Sequence, residues 1–188
     1  MAKYIHTDKF EPTAFEDFDG SEVVVSDRFV MFWKPPGTFS QWTASEFTID
    51  GIMYNCAEQY MMAEKARLFG DTNIEKLILA SDNPSRQKKL GKRISGFLEN
   101  QWSAVRYKIV FRGNLAKFTQ NPELKETLLE TGNRTLVEAS PGDRIWGIGL
   151  AANNEDAYNP DKWMGLNLLG KVLTDVRTHM SAVKDNYG

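Results

Sequence analysis

The order in which strand-type and helix-type stretches occur most restricts what this chain can fold into. Val23, Val24 and Val25 form one β-branched run, and residues 29–33 form an aromatic-rich second. Lys34-Pro35-Pro36-Gly37 must then break any strand. Phe47-Thr48-Ile49 and Ile52-Met53-Tyr54 flank Asp50-Gly51, a pair that supplies the positive φ of a tight hairpin turn. From Asn55 onward the patterning is helical. A helix capped by Asn55 is expected to run to Phe69 and stop at Gly70. Further helices are expected over 74–80, from Asn83 or Ser85 to about Phe97, and over 100–118, the last with Trp102, Val105, Ile109 and Leu115 at helical spacing and Gly113 weakening its second half. Pro122 opens another that ends at Gly132. One late strand is expected over 135–139, a loop-rich stretch over 141–159, and a closing helix over 167–183 with Leu169, Val172, Leu173 and Val176 on its core face. Helices and strands that do not alternate argue against a doubly wound parallel sheet. The expectation is an α+β fold: a single helix-rich domain with a small antiparallel sheet.

Composition narrows the function classes. The chain has 188 residues, 41% hydrophobic and 26% charged, which suits one packed domain. Its net charge of -2 gives no global drive toward nucleic acid or an anionic membrane. A single cysteine, Cys56, cannot form an internal disulfide and fits a reducing compartment. Residues 1–13 lack the apolar run of a secretory signal, and no stretch is apolar enough for a membrane helix, so a cytoplasmic location is expected. The two histidines, His6 and His179, lie near opposite ends and show no metal-ligand spacing with Cys56. No metal and no cofactor are therefore expected, and a Ser-His-Asp triad is disfavoured.

Four features could carry chemistry. Glu58 and Lys65 are seven residues apart, two turns on one helix face, with Met61 and Met62 between them. Sharing a partly desolvated pocket would lower the lysine pKa and raise that of the carboxylate, as a nucleophilic amine and a general acid or base require. The plainer reading has Glu58 complementing the helix N-terminus and Lys65 snorkelling to water. Asp143 follows the late strand in Ser140-Pro141-Gly142-Asp143-Arg144-Ile145-Trp146-Gly147-Ile148-Gly149, where glycines permit close backbone approach to a ligand. The plainer reading is that Asp143 turns the chain or pairs with Arg144. Trp33, Trp42, Trp102, Trp146 and Trp163 offer surfaces on which a base could stack, though tryptophan more often packs a core. The basic run Arg86, Lys88, Lys89, Lys92 and Arg93 reads as a solvated helix face before it reads as a phosphate platform.

These segments, in this order, resemble the NADAR (YbiA-like) family. The resemblance is carried by Phe39-Ser40-Gln41-Trp42, Phe47 to Gly51, Tyr54-Asn55-Cys56-Ala57-Glu58-Gln59-Tyr60 through Lys65, Trp102 with Val105-Arg106, Gly113-Asn114-Leu115-Ala116-Lys117-Phe118, Leu136 to Ser140, Asp143 to Gly149, and Gly165-Leu166-Asn167-Leu168-Leu169-Gly170. It implies an α+β domain that cleaves N-glycosidic bonds. Some members act on phosphorylated intermediates of riboflavin biosynthesis, and others remove ADP-ribose from guanine bases of nucleic acid. The family's acidic "AEQY" residue falls on Glu58, its helix tryptophan on Trp102, the acid before "WG" on Asp143, and the lysine after the acidic motif on Lys65. In ADP-ribose-processing members a lysine is thought to form a Schiff base with ribose, a role the resemblance gives to Lys65.

The resulting expectation is a catalytic set of Glu58, Lys65 and Asp143, with substrate held by Phe39, Ser40, Trp42, Tyr60, Trp102, Arg144, Trp146, Gly147 and Asn167. The partner is a small nucleotide-like substrate or ADP-ribosylated nucleic acid, with no membrane. The rival class is a module that holds ADP-ribose or NAD without cleaving it. The chain departs from shorter members by a loose N-terminal arm, taken as residues 1–25, and by a wider segment over 151–162. The domain proper is expected over 26–183, with a tail over 184–188.

Overall fold

In the computed structural model, residues 2–185 are described, and they divide into two compact units: residues 2–43 with 123–185, and residues 44–122.

The first unit is built on a four-stranded sheet, ordered β1 (Tyr4–His6), β2 (Val23–Val25), β3 (Phe29–Phe32) and β6 (Thr135–Glu138). β1 runs parallel to β2, β2 antiparallel to β3, and β3 parallel to β6, with Val30 opposite Leu136. The α+β expectation holds, but this sheet is mixed rather than antiparallel. The loose arm is also corrected. Its Tyr4–His6 segment extends the sheet, and a 3₁₀ turn at Pro12–Phe15 plants Phe15 in the core. Polar composition hid the aromatic cluster of Phe10, Phe15 and Phe18, whose rings lie 5.4–5.8 Å apart. Side chains alternate across the sheet. Val24, Met31, Val137 and Ala139 join Phe15, Ile148, Leu150 and Ala157 in one cluster. Helix α6 (Leu168–Asp185) packs on β6, and its residues Leu169, Val172, Leu173 and Val176 are buried as expected. The remainder of the expected 184–188 tail lies outside the described residues.

The second unit holds the hairpin β4 (Phe47–Ile49) and β5 (Ile52–Tyr54), whose Asp50-Gly51 turn takes positive φ at both positions. Around it stand α1 (Ala57–Leu68), α2 (Thr72–Leu79), α3 (Pro84–Gly91) and α4 (Glu99–Gln120); α5 (Pro122–Glu130) begins where the unit ends. α1 is the hub, packed on α2, α3 and α4. Its N-cap is Cys56 rather than Asn55. The Asn55 N–H is taken by the Gln59 side chain reaching back, and the Asn55 side chain bridges Ser81 and Gln87. Gln59 and Gln87 form a buried amide clamp on the carbonyls that end α2, including Ile78, Leu79 and Ser81.

α4 also departs from expectation. Val105, Ile109 and Leu115 are only partly buried, and the core face is Trp102, Val110, Gly113, Asn114, Lys117 and Phe118. Gly113 is there because the Tyr60 ring lies against it: an added Cβ would sit 2.4 Å from Tyr60 Cδ1. α3 ends at Gly91, short of Phe97, and Gly91 is tight against Met62 for the same kind of reason. Among the described residues, no helix is long and apolar enough to cross a membrane.

Candidate functional site

The residues singled out in sequence fall into two sets, one in each unit. In the second unit, Glu58 sits in the first turn of α1 and is 3% exposed. A carboxylate here is favoured by the helix N-terminus but deprived of bulk water. Two turns on, the Lys65 Nζ donates to the Gly91 carbonyl at 3.1 Å. It lies 4.1 Å from the Phe97 ring centroid and 5.7 Å from that of Trp102, which is itself buried. Desolvation lowers the Lys65 pKa, opposed by the charges of Glu99 and Glu58 and assisted by Lys92. Three expected site residues, Glu58, Lys65 and Trp102, thus share one neighbourhood, and Lys65 does not simply snorkel into water. Phe97, which completes the aromatic side of the lysine, was not singled out because a half-exposed aromatic in a loop carries no periodic signal.

Lys117 is the group that sequence reasoning passed over. It lies on the buried face of α4 with no solvent exposure, and its pKa is pushed down to about 7 by burial, with the Cys56 thiol opposing. The Cys56 thiol, raised by burial to about 11, is in turn influenced by both Glu58 and Lys117. One signal was available: Val110, Asn114, Lys117 and Phe118 follow helical spacing, and a lysine on an otherwise enclosed stripe is anomalous. Tyr60 serves the core. It is 1% exposed and edge-on to Tyr54 at 5.1 Å and to Phe47 at 6.1 Å.

In the first unit, Asp143 organises its own loop. Its Oδ1 accepts from the Ile145 and Trp146 amides at 2.9 and 2.8 Å, and its carbonyl accepts from Gly149. It makes no ion pair with Arg144 among the described residues. The carbonyls of Arg144, Ile145, Trp146 and Gly147 receive the amides of Leu166, Leu168, Leu169 and Asn167, so the loop satisfies donors at the start of α6. Gly147 is required by the chain's own backbone: a Cβ there would lie 2.8 Å from the Glu138 carbonyl.

Asn167, expected at a ligand rim, is buried at positive φ. Its Nδ2 donates to the Leu136 carbonyl and its Oδ1 accepts from the Glu138 amide, which ties α6 to β6. Phe39 is likewise a core residue, 5.5 Å from the Phe32 ring, because an aromatic after Pro35-Pro36-Gly37 folds back on the sheet. Ser40 is buried, with its Oγ accepting from the Trp42 amide, while Trp42 and Trp146 are half-buried and Arg144 is exposed. Arg86, Lys88, Lys89, Lys92 and Arg93 are all exposed, while Gln87, Leu90 and Gly91 face inward. Among the described residues, no three His, Cys, Asp or Glu side chains gather as a metal centre.

The chain is similar to an N-glycosidase of Acanthamoeba polyphaga mimivirus, 48% identical over 144 residues that cover 74% of this chain and 85% of the viral protein. It is similar to an N-glycosidase of Nostoc punctiforme, 34% identical, with 79% and 88% of the two chains covered. Its fold matches the NMR structure of the E. coli protein YbiA with a TM-score of 0.72 at 27% sequence identity, over 88% of this chain and 92% of that one. The NADAR domain model matches residues 29–181, and with that span the chain belongs to the NADAR domain family.

Proposed function

We infer that this chain is an N-glycosidase, a hydrolase acting on N-glycosyl compounds. Relatives named N-glycosidase support the activity. The observation that carries the chemistry is the pairing, on one face of α1, of an almost fully enclosed Glu58 with an amine, Lys65, whose charge is disfavoured by burial.

Departure of a base from ribose builds positive charge at the anomeric carbon. A carboxylate at that carbon stabilises the charge and can activate water on it. Glu58 takes this role. Lys65 has a larger neutral fraction than a free lysine, which suits attack on the anomeric carbon of a ring-opened ribose; in its charged form it neutralises a phosphate. Trp102 supplies a flat face for base or sugar. Asp143 is the further candidate acid, with one carboxylate oxygen engaged by its own loop. Asn167, Phe39, Tyr60 and Gly147 act through the scaffold. The substrate we favour is ADP-ribosylated guanine in nucleic acid or a related ADP-ribose or NAD compound, in a cytoplasmic setting; a phosphorylated riboflavin intermediate is the alternative.

The test is incubation with ADP-ribosylated guanosine in DNA and RNA, NAD, ADP-ribose and early riboflavin intermediates, following base or sugar release by mass spectrometry. Release from one substrate, reduced about 10²–10⁴-fold in Glu58→Gln, is the expected result. Ligand bound but recovered intact would replace the enzyme with a binding module.

A further inference from the structure

Arg177, on α6, is 9% exposed, and a guanidinium so enclosed normally has a carboxylate beside it. This one has none among the described residues. Its hydrogen bonds run from Nη1 to Thr131 Oγ1 at 2.7 Å and to the Arg134 carbonyl at 2.9 Å, both neutral acceptors. Nε and Nη2 carry no hydrogen bond among the described residues. Burial alone lowers its pKa, with no acid entering the balance.

Arg177 lines a cavity of about 330 Å³ in the first unit, together with Arg134, Thr135, Lys171 and Thr174. Arg134 also bonds only to carbonyls, those of Ser26, Glu130 and Thr131. Asp175 is on the same wall, so Arg134, Lys171 and Arg177 leave an excess of two positive charges. A second depression, lined by both Asp27 and Arg28, shares Asn133, Arg134 and Thr135 with the first. The cavity meets β6 at Thr135 and Leu136, whereas the Asp143 loop follows the strand's other end.

We propose that this cavity is an anion site for the phosphate group of a small phosphorylated ligand, anchored by Arg177 and steered by Arg134 and Lys171. Guanidinium forks match phosphate oxygens with paired donors, and an enclosed anchor selects a terminal phosphate over a phosphate within a nucleic-acid backbone. The volume is at the small end of ligand pockets and suits a mononucleotide-sized compound. The site is independent of the Glu58 and Lys65 chemistry and stands or falls without it.

The experiment is thermal unfolding of the full chain in inorganic phosphate and in a nucleoside monophosphate, against sodium chloride at equal ionic strength, with a single-stranded oligonucleotide as a further arm. Phosphate at about ten times its Kd should raise Tm by roughly 3–6 °C. Arg177→Gln should abolish that rise. Because Arg177 also holds Thr131 and Arg134, Lys171→Ala, an exposed rim change, provides the second variant, and it should weaken phosphate several-fold with Tm in chloride unchanged. An equal rise in chloride, a rise retained in both variants, or stabilisation by the oligonucleotide alone would overturn the proposal.

Discussion

Lys117 lies wholly out of solvent on α4, and burial takes its pKa from the ordinary 10.5 to about 7. Between those values the unfolded chain holds a proton on this amine that the folded chain has released. Stability therefore climbs as pH rises through the window, and the full penalty of enclosing a charged lysine applies below it. With those two limits, the gain between roughly pH 6.5 and roughly pH 8.5 is about 2 kcal/mol. Lys117→Met keeps the length and apolar stem of the side chain and removes the titration. Urea unfolding of both proteins at the two pH values should show the variant's advantage over the parent shrinking by about 2 kcal/mol as pH rises. Cys56 and Tyr60, pushed up by burial to about 11 and about 12, pull stability down mainly at higher pH, so they contribute little over this range. Stability profiles that run parallel across this range would refute the reasoning, because they would mean that the amine does not change protonation on folding.

Gly113→Ala should destabilise by about 1–3 kcal/mol despite alanine's better helix propensity, since the new Cβ meets a Tyr60 ring that Tyr54 and Phe47 hold in place; a chemical denaturation midpoint that rises instead would contradict that packing. Asn167→Ala removes both side-chain bonds to β6 and leaves a non-glycine residue at positive φ, so a loss of about 2–4 kcal/mol is expected in the same assay, and a change within 0.5 kcal/mol, roughly the scatter of neutral surface changes, would return Asn167 to a ligand role. Lys65→Met should suppress N-glycosidase turnover, and Lys65→Arg should fail to restore it because a guanidinium does not deprotonate; restoration by arginine would assign Lys65 to charge alone.

Local signals decided much of this protein. Asp50-Gly51 specified its hairpin because few residue pairs tolerate positive φ at both turn positions, and Leu169, Val172, Leu173 and Val176 marked the inward face of α6 by their spacing alone. The face shared by Glu58 and Lys65 followed from helical geometry. Tertiary packing decided the rest. Whether β6 joins β3 in parallel, and whether Tyr4–His6 extends the sheet, depends on partners far apart in sequence, which no local pattern encodes. The same holds for the site. The depressed pKa of Lys65 comes from burial of its amine, which outweighs the opposing charges of Glu99 and Glu58, and that of Lys117 from complete enclosure. Asn167 and Gly147 make close contacts with the chain's own backbone, which residue type alone does not show. Residue type sets what chemistry a side chain can do, while desolvation, which selects among those options, is a property of everything packed around it.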